Sequence, residues 1–272
     1  MQRPVSRALL GSFLLLVPPV TWAQKATAFP WPNGARAAVS LAYDDGLDSQ
    51  LDHAIPALDR HGFRGSFYLT LASPAVRSRL GEWRAAAGRG HELGNHTLFH
   101  ACSKSRPGRE WVEPWNDLDR MTVEELRQHV ILANTMLHAI DGRDERTFTT
   151  PCGDLYTADG HYLDALKPEF VAIKAGFSGA VPEDMAALDP YFVSVAVPVE
   201  VSGEELIAIV REAAERGTMA NLTFHGVGGD HLAVSEQAHG ELLRHLAENP
   251  GVYWVDTFLG IMQYVKANRP AE

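Results

Sequence analysis

Only two of the 272 residues are cysteines, Cys102 and Cys152, so covalent cross-linking is limited to a single bridge. Long apolar runs are also missing from the interior of the sequence. No internal stretch reaches the length of a membrane-spanning helix. Positive charge is scarce as well. With 24 Lys and Arg against 34 Asp and Glu, the formal net charge is -10, which argues against a broad basic surface for nucleic acid. There is no internal repeat, low-complexity tract or compositional break to mark a second domain.

What is present suits one large α/β domain. Hydrophobic residues make up 46% of the chain, enough to bury a core of barrel size. The N-terminus differs in kind from the rest. Arg3 and Arg7 precede the apolar stretch Ala8 to Val17, then Pro18-Pro19 and Thr21-Trp22-Ala23. These are the charged, apolar and small-residue regions of a secretory signal peptide, predicted to be cleaved after Ala23, with a retained anchor as the alternative. The predicted organisation is a signal peptide over 1–23, a lead-in over 24–36 and a single domain over 37–268. The mature chain would be exported, periplasmic or secreted, with no stable membrane insertion. Loss of the two arginines would take its charge from -10 to -12.

Strand and helix signals alternate along the domain, as βα units with parallel pairing require. The apolar run Val39 to Tyr43 reads as a buried strand, followed by helical spacing at Leu51, Ile55 and Leu58 that Gly62 ends. Further strands are predicted at 65–69, 92–96, 146–150, 170–173, 191–199, 219–224 and 252–255. Helices are predicted at 75–88 and near 157–167. Others follow Thr122 and Ser202, which open capping boxes, and Ser235, a single cap; a last helix starts near Thr257. Residues 101–121 form a polar loop carrying Trp111 and Trp115, long enough to suggest function.

The residues suited to chemistry gather just after predicted strands, the rim where parallel α/β folds build sites. Tyr43-Asp44-Asp45-Gly46 places two carboxylates at a strand end, one able to hold a cation and the other to take a proton. His96 and His100 are four apart, so one helical turn or a tight loop brings both rings to one side. One carboxylate and two imidazoles would leave open positions on a divalent ion. With 12 histidines, that spacing alone arises by chance in about one such chain in two, so it carries little by itself. A late strand delivers His225, followed by Gly226-Val227-Gly228-Gly229-Asp230-His231. That loop lacks the Lys-Ser/Thr of a phosphate cradle and reads as a flexible segment beside the site, with Asp230 or His231 able to touch substrate.

The order of these pieces resembles the polysaccharide deacetylases of carbohydrate esterase family 4, with their nodulation-type chitooligosaccharide deacetylase homology domain. The resemblance runs from about Ala37 to Lys266. It implies an α/β fold, a distorted, incomplete (β/α) barrel, and metal-dependent removal of acetyl groups from sugar polymers. By position, Asp44 would be the general base, Asp45, His96 and His100 the metal ligands, and His225 the general acid. The ion implied is divalent: zinc, with cobalt, nickel or manganese as alternatives. The partner implied is an acetylated carbohydrate, and xylan, chitin-type and peptidoglycan polymers all remain open. Hydrolysis of a small cyclic amide on the same scaffold, or non-catalytic carbohydrate binding, are the alternative functions. Trp83, Trp111 and Trp115 could stack on sugars or pack beneath the loop.

Two departures from the family pattern stand out. The third motif usually reads Arg-x-Pro-Tyr/Phe-Gly, whereas here it is Thr149-Thr150-Pro151-Cys152-Gly153, so Thr149 replaces the arginine that would orient the base. Either another basic residue supplies that charge or Asp44 is tuned differently. The fourth motif, with its tryptophan and an acid supporting the catalytic histidine, has no clear match. Glu200 is the candidate acid. Because the family's second and third motifs line one groove, the resemblance also implies a Cys102–Cys152 disulfide between two active-site loops, with free thiols or a sulfur near the metal as the alternatives.

Overall fold

The computed structural model describes residues 28–177 and 179–269; the predicted signal peptide and the first residues of the lead-in lie outside them. Strand β1 (Ala37–Asp44) is buried along its whole length and leads into a π-helical turn at Gln50–Ala54 and helix α1 (Ile55–His61). Then follow β2 (Ser66–Leu69), α2 (Pro74–Ser78), α3 (Leu80–Gly88) and β3 (Glu92–Asn95). The helix expected over 75–88 is thus two helices, because Arg79 leaves helical geometry at φ -121°, ψ 28°. After the long loop come α4 (Val123–Asp141) and β4 (Thr147–Thr149). Thr122 and Glu125 close a reciprocal capping box at the start of α4, and Gly142 ends it in the left-handed conformation.

The next segment departs from expectation. Instead of a helix over 157–167, a small hairpin pairs β5 (Tyr156–Thr157) with β6 (Gly160–His161), and α5 covers only Leu163–Leu166. Gly160 favours the turn and Pro168 stops the helix. Strand β7 (Ala172–Lys174) follows, then α6 (Gly203–Arg216), β8 (Met219–Phe224), α7 (Glu236–Glu248), β9 (Tyr253–Asp256) and α8 (Phe258–Asn268). The strand expected over 191–199 makes only isolated bridges, Val193 to Lys174 and Ala196 to Leu222. Its chain crosses from one sheet edge to the other, touching each too briefly to extend a ladder.

Apart from the β5–β6 hairpin, the strands form one curled parallel sheet, a half-barrel in the order β7-β4-β3-β2-β1-β8, with β9 also pairing β1. On one edge β1 pairs with β8 from Ala38 to Tyr43. Its other edge is shared, with β9 beside Ala37–Ser40 and β2 beside Ala42–Asp44. Alternation then sorts the side chains. Val39, Leu41 and Tyr43 join the apolar layer under the helices, while Ala38 and Ala42 face the interior with Tyr68, Met219 and α8. The interior also holds polar groups that find partners. Buried Glu92 accepts from Ser66 Oγ at 2.6 Å, from Thr147 Oγ1 and from the Leu259 N–H at 3.0 Å, where the α8 N-terminus favours a negative charge.

Beneath the helices, Tyr43 stacks against Phe67 (4.7 Å) and Phe224 (5.4 Å), and its hydroxyl meets His239 Nε2 at 2.7 Å. Burial raises the Tyr43 phenol, so the hydroxyl keeps its proton in this contact. Burial also pushes His239 down to about 4. The unfolded chain therefore binds a proton near pH 6.5 that the folded chain refuses until about pH 4, and stability present above pH 6.5 is lost as pH falls through that window. The loss from this residue is on the order of 3 kcal/mol. Denaturant unfolding of wild type and His239→Gln across pH 4–7 checks this, and the variant should show the shallower decline.

Candidate active site

The ends of β1, β3, β4 and β8 open into one cavity of about 960 Å³ lined by Asp44, Asp45, His96, His100, His225 and His231. The sharp turn after β1 explains how two neighbouring acids face it together. Asp45 (φ 79°) and Gly46 (φ 68°) are both left-handed. A Cβ at Gly46 would also lie 2.7 Å from Val76 Cγ2, so glycine is required there on both counts.

His96 and His100 meet through a tight turn rather than a helix. Thr97 (φ 67°) and His100 (φ 58°) are left-handed, and the turn is tied by Thr97 N–H to Asn95 Oδ1 (2.7 Å) and His100 N–H to Thr97 Oγ1 (2.9 Å). Asn95 is held in turn by the Val130 carbonyl and Asn134 on α4. His96 Nδ1 lies 2.8 Å from the Thr149 carbonyl, which fixes the tautomer with the proton on Nδ1 and leaves Nε2 as a donor atom for an ion. Both Nε2 atoms sit 3.3 Å from Asp45 Oδ1, a buried oxygen with no hydrogen-bond partner. The three ligand atoms lie within 4.8 Å of one another, and a carboxylate with two imidazoles is a donor set that fits a divalent ion.

Asp44 lies behind this group, buried, its Oδ1 also without a partner. Burial and the Asp45 charge raise it to about 7, against the pull of His96 and Lys174. Asp45 is held well below the usual carboxylate range: burial opposes this, but His231, His96 and His100 outweigh it. Burial lowers His100 to about 3 and His225 to about 4. His225 Nε2 is 3.8 Å from Asp45 Oδ2, and its buried Nδ1 has no partner. Glu200 therefore does not support it; the Glu200 backbone instead bonds to Ala233.

Three contributors are long-range: Lys174 and Gln50 escaped the sequence reading, and His231, expected to touch substrate, instead contacts Asp45. Lys174 stands directly across from Thr149 in the β4–β7 register and is fully buried. It supplies the positive charge that position 149 lacks. Its ammonium donates to Ser40 Oγ at 3.2 Å and lies over the Phe258 ring at 4.7 Å, and burial pushes it down to about 8 while Asp44 and Glu92 pull it up. Gln50 Nε2 bonds the carbonyls of both Asp44 (2.5 Å) and His225 (3.1 Å), clamping the ends of β1 and β8 together. His231 reaches Asp45 Oδ2 at 2.8 Å. A lysine inside the run Val171-Ala172-Ile173-Lys174 and a histidine six residues after His225 were the available signals.

Cys102 and Cys152 form a disulfide, so their sulfurs are not thiolate ligands although they lie near His100. Of the tryptophans, Trp83 is core, whereas Trp111 and Trp115 are exposed, and Trp111 lines the cavity.

The family model for polysaccharide deacetylases matches residues 32–167, half of the chain. The chain belongs to the polysaccharide deacetylase family. The match includes Asp44, Asp45, His96 and His100 and ends before Lys174 and His225. A search of curated proteins finds no significant match. Among solved structures, a protein from Mycobacterium smegmatis provisionally assigned as a polysaccharide deacetylase is 15% identical, with TM-score 0.64 over 92% of this chain and 98% of its own. The Xyl-CE4 domain of a multidomain xylanase from the hindgut metagenome of Trinervitermes trinervoides is 15% identical, with TM-score 0.53, covering 85% and 91%. A CE4 family pseudoenzyme from Bacillus anthracis is 13% identical, with TM-score 0.53, covering 84% and 66%. At such identities these likenesses establish the deacetylase fold. Since one of them is a pseudoenzyme, the case for activity in this deacetylase-family chain rests on its own side chains.

Proposed function

We propose that the protein is an exported, metal-dependent hydrolase that removes N- or O-linked acetyl groups from a carbohydrate polymer or oligomer. One observation carries this reading. An unpartnered Asp45 oxygen faces two imidazole nitrogens, while a second carboxylate and a third imidazole share the same cavity. Asp45, His96 and His100 would hold the ion, which could be zinc, cobalt, nickel or manganese and would supply Lewis acidity toward the acetyl carbonyl.

The remaining groups have distinct tasks. Asp44 Oδ1, buried and raised toward neutrality, takes the proton of the attacking water. Lys174 and Gln50 hold Asp44 in place, one by charge and the other through its backbone carbonyl. His225 hands a proton to the departing amine or alcohol. Burial favours its neutral ring, so His225 must first take up a proton from solvent, an uptake that negative charge developing on the substrate favours. Trp111 offers a face on which a sugar ring can stack. Export is supported by the N-terminal sequence pattern and by the disulfide, which suits an oxidising compartment. No helix among the described residues is long and apolar enough to cross a membrane.

The test is acetate release by the purified protein from acetylated xylan, chitooligosaccharides and peptidoglycan. Release from at least one is expected with added zinc or cobalt, with loss on chelation and recovery on readdition. Substrates left intact by protein with demonstrably bound metal would defeat the deacetylase reading.

A further inference from the structure

His231 lies outside the candidate ligand group, yet it makes the closest side-chain contact to that group's carboxylate. Its Nε2 is 2.8 Å from Asp45 Oδ2, whereas His96 and His100 both face Oδ1 at 3.3 Å. The two Asp45 oxygens thus have separate company. One is left open toward the two imidazoles, and the other is engaged by a ring that is half in solvent.

The segment carrying His231 is built to hold it there. Asp230 Oδ2 accepts from the Ser49 N–H at 2.8 Å, which ties the loop to the turn after β1. The His231 carbonyl accepts from Gly226 N–H at 3.2 Å, and Gly226 and Val234 close a second link at 3.0 Å. A Cβ on Gly226 would lie 2.0 Å from the Gly229 carbonyl oxygen, so the loop closes this tightly only with glycine at its base. Asp230 (φ 62°) and Leu232 (φ 48°), on either side of the histidine, are both left-handed. Such residues cost on the order of 1 kcal/mol each and persist where surrounding contacts over-determine them.

We infer that His231 is a positioning residue for the metal centre: by donating its Nε2–H to Asp45 Oδ2 it holds the carboxylate so that Oδ1 is the atom presented to the ion. A ligating carboxylate free to rotate loses part of its affinity to the cost of being oriented, and loss of such an outer partner lowers metal affinity by about 10- to 100-fold. The inference rests on the proposed metal site at Asp45, His96 and His100.

Calorimetric titration of the metal-free protein with zinc tests it without reference to activity. His231→Ala should bind zinc about 10- to 100-fold more weakly than wild type. His231→Gln, which keeps an N–H donor near the same place, should recover most of the difference. The Tm of the metal-free proteins should be alike, since the ring is half-exposed. Zinc affinity unchanged in His231→Ala, or equally reduced in both variants, overturns the positioning role. Failure of the wild type itself to bind zinc, cobalt, nickel or manganese would instead remove the proposed metal-dependent function, and this inference with it.

Discussion

Asp44→Asn is expected to lower kcat by about 10²- to 10⁴-fold, the share a positioned general base contributes. Metal binding should survive, because the proposed ligands Asp45, His96 and His100 are untouched. The substitution keeps the shape of the side chain and removes a carboxyl group that burial already makes reluctant to ionise. A folded-state pKa above the unfolded value stabilises the fold at low pH, and that stabilisation is lost as pH rises through about 7. The metal-free variant should therefore be at least as stable as wild type at pH 8, the sign expected when an active site carries a stability cost. Steady-state kinetics, zinc titration and denaturant unfolding of the same preparation separate these effects. A variant that retains wild-type kcat would eliminate Asp44 as the base. If the protein only binds carbohydrate, binding survives the change and there is no turnover to lose.

The second large effect is on stability. Replacing both cysteines with serine should cost about 4 kcal/mol, since the bridge spans 50 residues and constrains the unfolded chain over that length. For a domain of this size the loss corresponds to a fall in Tm on the order of 10 °C. Wild type in reductant should approach the double variant, with one chemical difference: reduction exposes two thiols beside His100, whereas the serine variant does not. Zinc binding in reductant can then involve sulfur donors, and comparison with the serine variant isolates that contribution. A Tm indifferent to reductant, with both thiols titrating as free in the oxidised protein, would dispose of the bridge. The loss should reach the cavity too, because Cys102 and Cys152 fasten the loop carrying Arg109 and Trp111 to the end of β4.

The parts of this site that could be read from sequence are those set by local chemistry. Asp44-Asp45-Gly46 announces a turn after a strand, and the tight turn from Asn95 to His100 is made by consecutive residues. The capping boxes at Thr122 and Ser202 work for the same reason, since each is complete within four residues. Lys174 was out of reach because its task depends on strand register: only the pairing of β4 with β7 sets it across from Thr149. Gln50 and His231 matter through chain segments nearly two hundred residues apart that return to the same rim. Glu200 failed as the acid partner because distance along the chain says nothing about which way a loop turns. The missed elements, at 157–167 and 191–199, are places where turns and brief edge contacts overrode local propensity.

The crossing segment has a further consequence. β7 and β8 end the sheet and carry mostly apolar side chains, and an exposed edge of that kind is a template for pairing with other molecules. Here residues 190–196 take up those edges. Ile173 N–H donates to the Pro190 carbonyl, Val193 donates to the Ile173 carbonyl and accepts from Ala175 N–H, and Ala196 donates to the Asn221 carbonyl and accepts from Thr223 N–H of β8. Protection against self-association is thus supplied by the backbone of a segment with almost no regular structure, which leaves the edge strands free to carry Lys174 and to deliver His225 without the guard charges that an open edge would demand.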